Sequence, residues 1–107
     1  MNRRMELLQK QLAETPDDAF SRYALGMEMA KAGDLDAALA QWAEVIARDP
    51  SYVPAYQMSG QHLMEDGRFE EAEVFFTQGV EQARASGNAK ATAEMTDFLN
   101  EVELLRG

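Results

Sequence analysis

The sequence predicts an all-α protein of about six helices arranged as antiparallel helix pairs, and three observations carry that prediction. Ala, Leu, Met, Glu and Gln fill about half of the positions, while Val and Ile are scarce and only three prolines and seven glycines occur in 107 residues. Ala and unbranched side chains lose the least freedom on entering a helix, so this composition favours helix before any pattern is considered. Apolar residues recur at i, i+3, i+4 and i+7, the spacing that places them on one side of a helix. Finally, the pattern of residues 19–52 recurs in residues 53–86.

Laying the first of these stretches over the second aligns Gly26 with Gly60, Gly33 with Gly67 and Ala38 with Ala72. Identities this few carry weight only through what surrounds them. Met29 meets Leu63, Leu35 meets Phe69, Asp36 meets Glu70, Trp42 meets Phe76, and Ile46 meets Val80. Apolar matches apolar, small matches small, and the punctuating glycines coincide.

Each element then follows in order. Residues 2–14 carry Met5, Leu8 and Leu12 on one side, and Thr15-Pro16-Asp17 stands one repeat length before Asp49-Pro50-Ser51. The segment is therefore expected to be the second helix of a decayed preceding repeat. Residues 17–50 form the first full unit. Its first helix runs from about Asp18 to Ala32 and closes at Gly33, a residue able to take the left-handed conformation. Asp34 is placed to cap the second helix, whose stripe is Leu35, Ala38, Leu39, Trp42, Val45 and Ile46. Pro50 stops that helix, and Ser51 is expected to cap the next. Residues 51–86 repeat the scheme, with a helix from about Val53 to Asp66, a closing Gly67 and a stripe of Phe69, Ala72, Phe76, Gly79, Val80 and Ala83. Arg68 stands where Asp34 stood, which predicts a weaker helix start. Beyond Ser86-Gly87-Asn88, residues 88–106 place Ala91, Met95, Phe98, Leu99, Val102 and Leu105 on one face of a final helix. Lys90, Glu94, Asp97, Glu101 and Glu103 lie on the other. A terminal amphipathic helix of this kind covers the open apolar end of a repeat array. Residues 1–107 are expected to form a single domain.

The net charge is −9 and uneven. Residues 1–48 hold six basic and eight acidic side chains, and residues 49–107 hold four and eleven. An acidic field repels phosphate backbones and anionic lipid, which argues against nucleic acid and membrane surfaces as partners. The absence of cysteine removes disulfides, thiol catalysis and cysteine metal sites together. Met1-Asn2-Arg3-Arg4-Met5-Glu6 is not followed by the apolar run of a signal peptide, and no segment approaches the ~18 consecutive apolar residues that would span a bilayer. A cytoplasmic location is the expectation.

The ordered positions resemble the tetratricopeptide repeat family, whose helix–turn–helix unit carries an aromatic, then Leu-Gly, Tyr, Ala, an aromatic, Ala and Pro. Leu25-Gly26, Gly33, Ala38, Trp42 and Pro50 match in the first unit, and Tyr56, Gly60, Gly67, Ala72 and Phe76 in the second. Arg22 replaces the first aromatic, Met29 and Leu63 replace Tyr, and Arg84 stands where the second unit should have Pro. The last departure implies that this helix runs on to about Ala85. The resemblance implies a right-handed superhelix of antiparallel helix pairs with a C-terminal capping helix. It also implies that the first helix of each pair lines a concave groove that holds a peptide or helix. The inward positions would be Phe20, Tyr23, Ala24, Met27 and Lys31 in the first unit and Gln57, Met58, Gln61 and Met64 in the second. Family members that clamp a carboxylate use Lys and Asn on this surface; Tyr23, Met27 and Met58 stand there instead, so no such clamp is expected.

Nothing in the sequence converges on chemistry. His62 is the single histidine, with Glu65 and Asp66 within a turn but no companion ligands or nucleophile. The acidic run Glu65, Asp66, Glu70, Glu71 and Glu73 straddles a helix turn, where negative charge near a helix N-terminus is favourable in itself. The function expected is therefore a non-catalytic module without metal or cofactor, binding a protein or peptide in a methionine- and tyrosine-lined groove. The alternative is a self-associating scaffold in which an exposed Phe75 and the terminal helices pair between copies.

Overall fold

A computed structural model describes residues 2–107, and among them lie six α-helices and no strand. The chain divides into two compact units at Asp49-Pro50. The first contains α1 (Arg3–Glu14), α2 (Ala19–Lys31) and α3 (Leu35–Arg48); the second contains α4 (Val53–Glu65), α5 (Phe69–Ala85) and α6 (Ala89–Arg106).

Two kinds of stop punctuate the helices. After α1 and α3 the chain meets Pro16 and Pro50, and the last amides, of Thr15 and Asp49, still donate to the carbonyls of Gln11 and Val45 at 2.8 Å. Proline disfavours helical backbone in the residue before it, so both helices end there. After α2 and α4 the stop is Gly33 (φ +87°) or Gly67 (φ +78°). At the first, the Gly33 and Asp34 amides donate to Ala30 and Met29, both at 3.0 Å; at the second, Gly67 and Arg68 donate to Met64 and Leu63. This pair of reversed hydrogen bonds needs a left-handed residue and leaves only a short turn before the next helix. Gly87 closes α5 in the same way. With glycine there instead of proline, α5 runs to Ala85 and reaches 17 residues against 14 for α3.

Helix starts are less uniform. Asn2, Asp18, Asp34 and Asn88 each accept an amide hydrogen from the residue at i+3, at 2.8–3.1 Å. Ser51 does not fill the cap position of α4; Tyr52 does, and its side chain makes no capping bond. There Pro54, in the first turn, supplies pre-set helical φ in place of a capping side chain. Arg68 likewise gives α5 no side-chain cap.

The core of each unit is one aromatic ring set against a glycine. In the first unit α2 and α3 run antiparallel, with Arg48 beside Asp17 at one end and Trp42 beside Tyr23 in the middle. Trp42 is fully buried, and a Cβ on Gly26 would lie 2.5 Å from its Nε1. In the second unit a Cβ on Gly60 would lie 2.5 Å from Cε1 of the fully buried Phe76. The two rings, at the same repeat position, each lie against the glycine of the preceding helix. Packing α1 on α2 buries Met5, while Leu8 and Leu12 are half-buried. α6 packs on α5 and touches α4, burying Ala91, Met95 and Val102. Phe98 stacks on Phe76 with centroids 5.2 Å apart. Leu105, expected in the same stripe, is 55% exposed. Phe75 is half-buried rather than exposed.

Candidate functional site

α2 brings four of the expected residues onto one side of a helix, at i, i+3, i+7 and i+11. Phe20 is 63% exposed, Tyr23 and Met27 are half-buried, and Lys31 is exposed. The opposite side of α2, with Leu25 and Gly26, is buried, which fixes the orientation of this stripe; Ala24 is buried as well and offers no contact surface. Its N-terminus is anchored by Asp18, whose carboxylate accepts from the Ser21 hydroxyl at 2.7 Å and the Ser21 amide at 3.1 Å. Those bonds, the hydroxyl's first, hold the Asp18 carboxyl below the usual carboxylate range. Burial pushes the Tyr23 phenol above its ordinary value, and the Tyr23 carbonyl accepts from Trp42 Nε1 at 3.1 Å.

Lys31 is engaged already. Glu28 lies one turn before it with only 10% of its side chain exposed, and its Oε2 meets Lys31 Nζ at 3.5 Å and Arg4 Nε, from α1, at 3.2 Å. One nearly buried carboxylate thus holds two cations, a partnership that burial of a charge requires. The Lys31 contact follows from i, i+3 spacing on one helix, whereas nothing in the sequence announces Arg4.

On α4 the four expected residues, Gln57, Met58, Gln61 and Met64, are all half-buried. Gln57 Nε2 donates to Glu94 Oε2 of α6 at 2.9 Å, so this amide is tied within its own unit. Gln61 Oε1 is buried and has no hydrogen-bond partner. The second unit's set is more covered and more polar than the first.

Two further residues do related work at the entry to each helix pair. Arg22 Nη2 donates to the Pro16 carbonyl at 2.9 Å, and the Tyr56 hydroxyl donates to the Pro50 carbonyl at 2.7 Å. Arg22 and Tyr56 stand at the same repeat position, and so do the two prolines. Arg22, a departure from the family pattern by residue type, therefore makes the bond that Tyr56 makes. The recurrence of proline at one repeat position was the available signal.

The remaining charged candidates are largely engaged with one another. Arg68 grips Glu71 through Nε and Nη2 at 3.0 and 2.9 Å, which holds the Glu71 carboxyl below its usual range. Arg106 contacts Glu73 at 2.5 Å and Glu103 at 3.1 Å. His62 is half-buried on α4. Among the described residues, no three His, Asp or Glu side chains gather as metal ligands, and no helix is long and apolar enough to cross a membrane.

Comparison with known proteins places this architecture. The family model for the tetratricopeptide repeat matches residues 29–94. A TPR repeat-containing protein of Pseudomonas aeruginosa is 30% identical over 102 residues, covering 95% of this chain and 97% of that protein. The solution structure of a tetratricopeptide repeat domain protein from Salinibacter ruber is 35% identical with a TM-score of 0.77, covering 82% of this chain and 89% of that one. The TPR2B domain of yeast Sti1, solved as its complex with pHsp70, superposes with a TM-score of 0.85 at 16% identity over 94% of this chain and 80% of its own. That last likeness is one of fold alone. A repeat match across more than half of the residues, joined to a near full-length relative at this identity, shows that the chain belongs to the tetratricopeptide repeat family.

Proposed function

We propose that this protein is a non-catalytic interaction module that binds a peptide or helix of a partner protein through the α2 face of Phe20, Tyr23, Met27 and Lys31 and the α4 face of Gln57, Met58, Gln61 and Met64. The observation that carries it is Phe20, an aromatic ring 63% exposed at the head of a stripe that continues through Tyr23 and Met27. Leaving such a ring in water is costly, and aromatic anchors are where binding energy concentrates at interfaces. Methionine suits adaptable apolar recognition because its thioether stem is flexible and polarizable. The complex of the yeast Sti1 domain with pHsp70 supports a partner-binding use of the fold, by analogy.

Affinity capture from native lysate tests the proposal, with wild type compared to Phe20→Ser, Tyr23→Ala and Met58→Ala. A protein retained by wild type and lost from these variants is expected. Chemical-shift mapping with segments of the captured protein then reads the surface. Perturbations confined to α3 and α5 rule the α2 and α4 faces out.

A further inference from the structure

The two terminal helices are held very differently. α6 buries Ala91, Met95 and Val102 and stacks Phe98 on Phe76. α1, of 12 residues, buries Met5 alone; Leu8 and Leu12 are half-buried and the rest are exposed. Beyond that apolar seat, α1 is fastened to α2 at two points. Arg4 Nε meets Glu28 Oε2 at 3.2 Å, and Gln11 Nε2 donates to Asp18 Oδ2 at 3.2 Å. Both carboxylates have a further partner that does not involve α1. Glu28 also meets Lys31 at 3.5 Å, and Asp18 accepts from the Ser21 hydroxyl and amide. Neither is stranded when α1 departs. The α2–α3 pair is likewise closed without it: Trp42 packs on Gly26 and donates to the Tyr23 carbonyl, and Asp18 and Asp34 cap the two helices.

We propose that α1 is a strap that opens by itself while α2 and α3 stay folded, and that its opening enlarges the exposed face of α2. Segments with few buried apolar contacts open at a lower free energy than the domain as a whole. An isolated helix of about 12 residues is marginal in water, so α1 melts once it leaves its seat. The side of α2 that it uncovers holds Ser21, Ala24 and Glu28, at i, i+3 and i+7 and all buried in the closed form. Ala24 stands one turn from Phe20, so the uncovered side is continuous with the stripe of Phe20, Tyr23 and Met27. Opening leaves Glu28 to Lys31 and brings its carboxylate into water, where a charge is tolerated best. The strap thus governs how much of α2 is open to contact.

Amide hydrogen exchange of the full chain, read residue by residue, tests it with no partner present, so the outcome is independent of the proposed binding. The amides bonded within α1 exchange about a hundredfold or more faster than those in the middle of α3, because they need only the local opening. Ala38→Gly, at a buried position of α3, speeds α3 exchange by about fivefold or more. The α1 rates keep their wild-type values, since the open form retains α3 intact. Met5→Ala speeds α1 exchange by about tenfold or more, and Leu7→Ala, at an exposed position of the same helix, leaves it unchanged. The chain has no cysteine, so Ala24→Cys supplies a single thiol, and its labelling in the folded protein follows the opening of α1. Amides of α1 that exchange at the α3 rate, or that speed up with Ala38→Gly, overturn the proposal, because α1 then unfolds only with the whole unit. Equal acceleration by Leu7→Ala and Met5→Ala overturns it as well, and so does a thiol at position 24 that labels only as fast as α3 opens.

Discussion

The helix pairs α2–α3 and α4–α5 solve one packing problem with different residues. Each sets a buried ring against a glycine, Trp42 against Gly26 and Phe76 against Gly60. Trp42 also donates a hydrogen bond to the Tyr23 carbonyl. Phe76 has no donor and instead stacks on Phe98 of α6. At the entry turn, Arg22 and Tyr56 reach the carbonyls of equivalent prolines. Beside the glycines, Leu25 and Ser59 stand at the same repeat position; Leu25 is buried, and the fully buried Ser59 hydroxyl has no partner. What the repeat retains is therefore the shape of each position and the bond it must make. Residue type follows only where a single type can do the work.

The comparison can be broken or sharpened by substitution. The largest effect is expected from Trp42→Ala and Phe76→Ala, each costing ~3–5 kcal/mol through lost burial and the cavity left behind. Thermal or denaturant unfolding measures both, and a change in one pair that leaves stability untouched breaks the equivalence of the two rings. Next, the Leu25 and Ser59 positions should respond with opposite signs. Leu25→Ala should destabilise by ~2–5 kcal/mol. Ser59→Ala should stabilise by ~1 kcal/mol, because an orphan hydroxyl leaves the interior and helix propensity rises. A destabilised Ser59→Ala protein would mean that the hydroxyl is bonded.

Gly26→Ala and Gly60→Ala should each cost ~1–3 kcal/mol by overpacking against the ring. Much of that cost should vanish when the facing ring is already Ala, and a double-mutant cycle reads the coupling directly. The smallest effect is a dependence on pH at the start of the first pair. The folded-state pKa of Asp18 lies below its unfolded value. Its contribution is therefore present above about pH 4 and is lost as pH falls through the folded value. The difference in melting temperature between wild type and Asp18→Asn should be present at pH 7 and close under acid. Tyr52 holds the cap position of α4 without a side-chain cap, so Tyr52→Phe should show no such pH dependence. A gap between wild type and Asp18→Asn that persists unchanged in strong acid would contradict the Ser21–Asp18 bonds as its origin.

Much of the fold was legible because its signals are local. The apolar stripes, the Pro16 and Pro50 stops, the Gly33 and Gly67 closures and the Asp34 cap all depend on residues within one or two turns. The extension of α5 to Ala85 follows from the missing proline at Arg84 in the same way. The Ser51 cap failed as an expectation because a capping residue must sit immediately before the helix, and with α4 starting at Val53 that place is held by Tyr52. For the candidate site, the sequence indicated which residues share a side of α2 and of α4. It did not indicate how covered each would be.

By itself, then, the sequence determined where helices begin and end, which of their sides are apolar, and that the scheme recurs from one helix pair to the next, because periodicity, caps and stops act over short stretches of chain. Tertiary structure alone decided that Arg22 stands in for a tyrosine, that Arg4 of α1 reaches Glu28, that Gln57 is tied to Glu94, and that Ser59 is buried without a partner. Each of these depends on ångström distances between helices, or on what a neighbouring helix covers. A one-dimensional pattern carries no measure of either.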